Sequence, residues 1–345
     1  MEITNDTFYK KGLCGITNLG NTCFMNTIMQ CLNSNTEFSE FFLTNRFKKH
    51  LNFDIIDHNL VEQWALVCKA LWDKNGVVTP TSFHKTIQII SLKKGLGSFA
   101  GFNQNDSQEF LQFFMETMHN GISKEVIMTI NGKPRNELDT MAIAALTNWK
   151  KFFKNDYSYI VEKFYGQLYS VIKTPDDTKY KSETYEPFSN LCLEIPNEKE
   201  GQIINIYDCF DKFIEVEYLD GHRQRDDDTN KYYRGLSLWS TPKYLIIFFK
   251  RYNNKQQKIE TVIDFPIEGL NLAKYCVGYD KNNCQYDLHA IANHTGGAGF
   301  GHYWACTKNM DKKWYKFNDK YVSLQDMNEL VTKNVYCLFY KKRIN

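Results

Sequence analysis

The sequence predicts an α+β fold, helices first and antiparallel sheet after, and three observations carry this. Apolar residues keep helical spacing through the first half: Leu60, Val61, Trp64, Val67, Cys68, Leu71 and Trp72 form one stripe. From about Phe164 the period shortens to two, as in Gln167 to Ile172. Tyr244 to Phe249, Y-L-I-I-F-F, is an unbroken aromatic and β-branched run, the pattern of a strand buried on both faces and expected at the centre of a sheet.

Taken in order, the first feature is Gly15 to Ser34, G-I-T-N-L-G-N-T-C-F-M-N-T-I-M-Q-C-L-N-S, where loop residues give way to a helix at Cys23. Phe24, Ile28, Cys31 and Leu32 share one face of that helix, which stops at Asn33-Ser34-Asn35. The Leu60 stripe ends at Asn75-Gly76, and Thr79-Pro80 supplies a cap and a first helical position for the next helix. Asp106 to Glu109, D-S-Q-E, has the spacing of a capping box and opens a helix carrying Phe110, Leu111, Phe114 and Met118. Leu138, Met141, Ala145, Leu146, Trp149 and Phe153 predict one more. In the second half, polar stretches at Pro175 to Glu186 and His222 to Lys231 are expected as exposed tips between strands. Alternation returns at Tyr286 to Ala292, Tyr303 to Thr307, Lys313 to Phe317 and Val335 to Tyr340, so the last third is expected to be mainly antiparallel sheet.

The 345 residues are enough for one large core or two modest ones, and length leaves open one unit with sub-domains or two separate domains. With 42 basic against 40 acidic residues the net charge is +2, which provides no global field for nucleic acid or an anionic membrane. The N-terminus has no apolar signal core, and no window approaches the ~18 apolar residues of a membrane span. A soluble, monomeric, intracellular protein is expected, cytoplasmic or nuclear. Its ten cysteines include no C-x-x-C pair. They are expected as free thiols, mostly small buried hydrophobes, without a structural metal.

Chemistry enters at Cys23. A thiolate is favoured at a helix N-terminus, where unpaired N–H groups and the helix dipole stabilise negative charge. The same N–H groups and the Asn18 side chain are positioned to serve an oxyanion. Spacing alone fits a buried core cysteine equally well. A nucleophilic thiol needs a base, and His302 is the histidine with an orienting partner built into the sequence. If Met310 is the apex of the turn that follows it, His302 falls opposite Asn318, Tyr303 opposite Phe317 and Ala305 opposite Tyr315. Gly299-Phe300-Gly301 removes bulk just before His302, which favours a functional over a purely structural histidine. Asp319 either points to solvent or adds a second polar contact; the sequence leaves both open.

With these pieces in place, the chain resembles the ubiquitin-specific proteases, a papain-like family of deubiquitinating cysteine peptidases. G-I-T-N-L-G-N-T-C-F-M-N (Gly15 to Asn26) is similar to their Cys box; H-T-G-G-A-G-F-G-H-Y-W-A (His294 to Ala305) with W-Y-K-F-N-D (Trp314 to Asp319) is similar to their His box. Q-N-D-S-Q-E-F (Gln104 to Phe110) and F-K-R-Y (Phe249 to Tyr252) resemble two further motifs, all in family order. The resemblance implies Cys23 as nucleophile, His302 as base, Asn318 as its orienter, Asn18 as oxyanion donor and Asp319 as a supporting residue. It further implies that Asp106 binds the extended tail of ubiquitin, Gly301 and Tyr303 line the channel for its Gly-Gly end, and Tyr252 packs on it. The implied fold is a papain-like arrangement of helical thumb (1–162), fingers leading into a palm strand (163–250) and palm (251–345), one catalytic domain over about 12–342. The implied activity is hydrolysis after the terminal glycine of ubiquitin, without a cofactor; a ubiquitin-binding scaffold, or a ubiquitin-like modifier as substrate, are the alternatives. Two departures stand out. The finger stretches around Ile172 to Asp177 and Tyr233 to Ser240 lack the cysteines of a zinc ribbon, so packing alone must hold the fingers. Asn105 replaces the usual Gln, and Phe300 a frequent Gly, beside the tail channel.

Overall fold

Residue 23 begins a helix, α1 (Cys23–Asn33), and all of its residues are buried, polar ones included. One apolar face does not explain that; helices cover one side of α1 and a sheet the other, so Asn26, Gln30 and Asn33 must find partners inside. The computed structural model describes residues 11–174, 181–197, 203–219, 231–297 and 299–343. Ahead of α1 lies a short strand, β1 (Cys14–Ile16), paired in parallel with β2 (Gly76–Val78).

The helical half follows the apolar spacing. After α1 come α2 (Thr36–Leu43), α3 (His58–Asp73), α4 (Thr81–Lys93), α5 (Ser107–Ile122), α6 (Glu137–Phe153) and α7 (Tyr159–Phe164). Three details differ from the sequence reading. Asn33-Ser34-Asn35 ends one helix and also starts α2, because the Asn35 side chain accepts the Phe38 N–H at 3.1 Å. Pro80, not Thr79, caps α4; the Thr79 hydroxyl bonds that of Thr17 instead. Asp106 caps α5 by accepting from the N–H groups of Gln108 and Glu109, but Glu109 does not reciprocate and lines a cleft. The short helices α7 and α8 (Ile206–Phe213), capped by Ser158 and Asn205, carry too few turns to show a stripe in sequence.

The sheets form two sets. The first carries β3 (Gly166–Lys173), β4 (Lys181–Phe188), β7 (Glu217–Leu219) and β8 (Tyr232–Ser240), in the order β4-β3-β8-β7. Its residues 181–186 were expected as part of an exposed tip; they are strand, with Glu183, Thr184 and Glu186 exposed and Tyr185 buried. Residues 175–180 and 222–230 of the two expected tips lie outside the described residues. The second sheet contains β5 (Leu191–Leu193), β9 (Tyr244–Phe249), β11 (Leu270–Asn271), β12 (Gln285–Gly297), β13 (Phe300–Lys308), β14 (Trp314–Asn318), β15 (Tyr321–Gln325) and β16 (Val335–Lys342). Its order is β15-β14-β13-β12-β16-β9-β5, with β11 beside β12, and it is antiparallel except between β5 and β9. A separate two-strand pair joins β6 (Ile204–Asn205) to β10 (Ile263–Asp264).

β9 is buried along its whole length, as its composition predicts, yet it lies one strand in from an edge rather than at the centre. Both its faces are covered. Tyr244, Ile246 and Phe248 enter a core shared with the helices, while Leu245, Ile247 and Phe249 enter a second core on the far side. All ten cysteines are free and nine are buried, in line with their reading as small hydrophobes.

Where a zinc ribbon was missed in sequence, the four-stranded sheet is closed by aromatic packing against α6. Tyr185 stands 5.3 Å from Tyr169 and 5.4 Å from Trp239 between ring centroids, over Ala145. Gln167 adds a hydrogen bond from its amide to the Ala145 carbonyl at 3.1 Å. Among the described residues no group of three or more His, Cys, Asp or Glu is arranged to hold a metal, and no helix is long and apolar enough to cross a membrane. Trp239→Ala is therefore expected to destabilise the protein by about 3 kcal/mol. Thermal unfolding checks this, with a strong chelator expected to leave the wild-type melting temperature unchanged.

Candidate active site

The Gly-Asn loop before α1 is folded by one side chain. Asn18 Oδ1 accepts the backbone N–H groups of Gly20 at 3.0 Å and Thr22 at 3.1 Å, while Thr22 Oγ1 accepts that of Leu19 at 2.9 Å. This leaves Cys23 as the first residue of the helix, only 4 % exposed. Burial pushes the Cys23 thiol above its ordinary value and outweighs the helix start, whose backbone groups at Cys23 and Phe24 do favour the thiolate as expected. A backbone hydrogen bond at Tyr303 pulls it down, and the nearby Asp319 carboxylate raises it further. Cys23 is thus a neutral thiol at rest, and needs a base to react.

His302, on β13, meets Asn318, the last residue of β14: Nε2 lies 2.6 Å from the Asn318 Oδ1. The register that predicted their contact is off by two. Ala305 pairs with Phe317, Thr307 with Tyr315 and Lys308 with Trp314, so the connection is centred on Asp311 rather than Met310. Asn309 N–H closes this five-residue loop onto the Lys313 carbonyl at 2.9 Å, with Lys312 left-handed at φ 64°. A shift by two keeps every side chain on its face, so His302 and Asn318 still meet, diagonally instead of directly across. Because the Asn318 carbonyl oxygen only accepts, neutral His302 carries its proton on Nε2 and keeps Nδ1 as a free base. Among the described residues no hydrogen bond joins Cys23 to His302. The thiol instead sits against the backbone of Tyr303, the residue next to the imidazole.

Asp319 has one of the few left-handed non-glycine backbones, φ 50°, and this turns its carboxylate inward. Oδ2 accepts from Asn18 Nδ2 at 3.0 Å and Oδ1 from Asn26 Nδ2 at 2.8 Å, while its carbonyl accepts the Ile16 N–H at 2.9 Å. Of the two options left open by sequence, the polar contact is the one observed. Asn18 retains one amide proton beyond the bond to Asp319. Asn26 received no role from sequence reading, although its position one turn after Cys23 on the same helix is the signal that finds it. Gly15 makes the close approach of β1 possible, since a Cβ there would lie 2.3 Å from the Lys320 carbonyl oxygen.

A cleft of about 290 Å³ runs from Cys23 past Asp106, Tyr252, Gly301 and Tyr303, so these residues are brought together. Asp106 does more than cap α5. Its Oδ2 accepts from the hydroxyls of Tyr336 at 2.6 Å and Tyr303 at 3.3 Å, tying the helical half to the sheet. Tyr252 Oη lies 3.1 Å from His294 Nδ1, and the His294 ring packs 4.3 Å from that of Tyr303. Burial, then the Lys258 charge, push His294 down to about 4, so it is neutral near pH 7. Gly301 donates its N–H to Gln104 Oε1 at 2.7 Å. A Cβ at Gly301 would lie 2.2 Å from the Thr295 carbonyl and 2.5 Å from His294 Nε2, so the protein's own packing demands the glycine. Phe300, 68 % exposed, lies over Gly297 on the rim of this cleft. Gln104, His294 and Tyr336 carried no role in the sequence reading; only the fold reveals their contacts.

Two outcomes follow. Asp319→Asn removes a charge that raises the Cys23 thiol, so iodoacetamide is expected to label Cys23 faster at pH 8 than in wild type, measured by peptide mass spectrometry. His294, depressed in the fold, takes up a proton on unfolding once the pH falls below its unfolded value of about 6.5. Its contribution to stability is complete above that pH and is lost as the pH falls toward about 4, where the folded group titrates. Urea unfolding across this window is expected to show a shallower decline for His294→Gln than for wild type.

Comparison with known proteins agrees with this geometry. The ubiquitin carboxyl-terminal hydrolase family model matches residues 14–340. Human ubiquitin carboxyl-terminal hydrolase 2 is 31 % identical over 344 residues, covering 96 % of this chain and 55 % of its own length. Human ubiquitin carboxyl-terminal hydrolase 21 is also 31 % identical, covering 96 % of this chain and 61 % of its own. The chain therefore spans a little over half the length of these curated relatives. Among solved structures, the "SAGA Ubp8/Sgf11/Sus1/Sgf73 DUB module bound to ubiquitin aldehyde" superposes with a TM-score of 0.71 at 26 % identity, covering 97 % of this chain and 70 % of that one. A match this continuous, on a fold of helices packed against an antiparallel-rich sheet, means that the chain belongs to the ubiquitin carboxyl-terminal hydrolase family, with its α+β, papain-like architecture.

Proposed function

We propose that the protein is a thiol-dependent deubiquitinase that hydrolyses the peptide or isopeptide bond after the C-terminal glycine of ubiquitin. The observation that carries this is the 2.6 Å contact of His302 with Asn318 on a strand that passes the Cys23 thiol. In this reading His302 Nδ1 takes the Cys23 proton as sulfur attacks the scissile carbonyl. Backbone N–H groups at the start of α1 and the remaining amide proton of Asn18 stabilise the tetrahedral oxyanion. The imidazolium then protonates the leaving amine, and a thioester remains on Cys23. Water, deprotonated by His302, attacks the thioester and releases the glycine carboxylate and the free thiol.

The tail runs along the cleft, over Tyr252 and between Gly301 and Tyr303, with Asp106 facing its backbone. The thumb, fingers and palm divide at 1–162, 163–250 and 251–345 within a catalytic domain of about 12–342; the shift from helices to sheet after α7 supports this division. A monomer in the cytoplasm or nucleus fits the free thiols. Support for ubiquitin itself comes from the neighbour whose title records ubiquitin aldehyde.

A ubiquitin C-terminal fluorogenic amide tests the proposal. Wild type is expected to hydrolyse it, Cys23→Ala to be inactive, and His302→Ala to lose on the order of 10² or more in kcat. Equal turnover by wild type and Cys23→Ala overturns the assignment. Binding of ubiquitin without labelling by a thiol-reactive ubiquitin probe would make the chain a scaffold, and labelling by a ubiquitin-like probe alone would change the modifier.

A further inference from the structure

Strand β13 presents alternate residues to opposite sides. Tyr303 and Ala305 enter the core shared with the helices, whereas Trp304 and Cys306 belong to the core on the other side, so Trp304 stands on the face that carries His302. The two rings are nearly parallel, 21° apart, with centroids at 6.5 Å. Beyond the indole is a cation: Lys316 Nζ lies 5.0 Å from the centroid of the Trp304 ring. Lys316 pairs across the ladder with Cys306, one step past Trp304 as counted from His302; burial pushes the Cys306 thiol up to about 12, and the Lys316 charge opposes that rise. The indole is therefore neighbour to both the imidazole and the ammonium.

From this stack we infer that Trp304 is a positioning residue for His302, held in turn by Lys316. The inference rests on the proposed role of His302 as base. One hydrogen bond, from Nε2 to Asn318, fixes a point on the imidazole and leaves the ring free to rotate about that contact. The indole plane beside it removes this freedom and keeps Nδ1 directed to Cys23. Core packing alone does not account for Trp304, which is only partly buried and borders an open cavity of about 360 Å³ together with Lys316. Trp304 is also absent from the lining of the tail cleft, so its effect is on the base and not on tail binding.

The experiment compares Trp304→Ala and Trp304→Phe in wild-type and His302→Ala backgrounds, after thermal unfolding has shown each variant folded. Two rates are measured: alkylation of Cys23 by iodoacetamide at pH 7, and kcat and KM on the ubiquitin fluorogenic amide. Trp304→Ala is expected to lower kcat and the alkylation rate about three- to ten-fold with KM unchanged. Trp304→Phe, which keeps a ring, should recover most of the loss. In the His302→Ala background, Trp304→Ala should cost nothing further, because a residue acting through His302 has no effect once His302 is gone. An equal loss in both backgrounds, or a loss confined to KM, overturns the inference. If wild type fails to hydrolyse the amide, the deubiquitinase reading falls, and the alkylation rates alone decide whether Trp304 acts through His302.

Discussion

The inward-turned carboxylate of Asp319 joins pieces of chain that are nearly 300 residues apart. It holds Asn26 of α1 on one oxygen and Asn18 of the preceding loop on the other, while its own carbonyl receives the N–H of Ile16 in β1. Next to it in sequence, Asn318 holds His302. The helix that begins at Cys23, the loop of Asn18 and the imidazole of His302 are thereby referred to one peptide. Hydrogen bonds to a charged acceptor contribute about 1.5–3 kcal/mol each where they are shielded, as the one from the buried Asn26 amide is. A left-handed backbone at Asp319 carries its own strain, which these bonds offset.

The charge of that carboxylate also acts against the thiolate of Cys23, in concert with burial. The two influences together favour the protonated sulfur, so geometry is secured at the expense of intrinsic nucleophilicity. The cleft follows the same logic. On its wall the Asp106 carboxylate is shared among two backbone N–H groups and two tyrosine hydroxyls, and His294 beside it is neutral.

How much of this was legible in sequence depended on the range of the interaction. Helical spacing located α1, α3 and α5, and the uninterrupted apolar run identified β9 as buried on both faces. Its place near an edge was not readable, because strand order is decided by segments far away. The His302–Asn318 contact survived a wrong register since parity alone selects the face; the loop length, which sets the register itself, depended on a left-handed Lys312 that sequence does not announce. The resting state of Cys23 could not be read, as burial of the thiol arises from α1 being enclosed on every side. Asn26, Gln104, His294 and Tyr336 were similarly hidden, each having its partner on a distant element.

At Gly301 the wall of the cleft is set from within. Thr295 and His294 already occupy the space that any side chain would need, so the backbone there is bare whether or not a substrate is present. Under the proposed function, selectivity for an unbranched chain end at that point would be inherited from the architecture and not separately adjustable. Widening the cleft could not begin with this residue; it would have to start with other lining side chains, among them Gln104, Asn105 and Glu109.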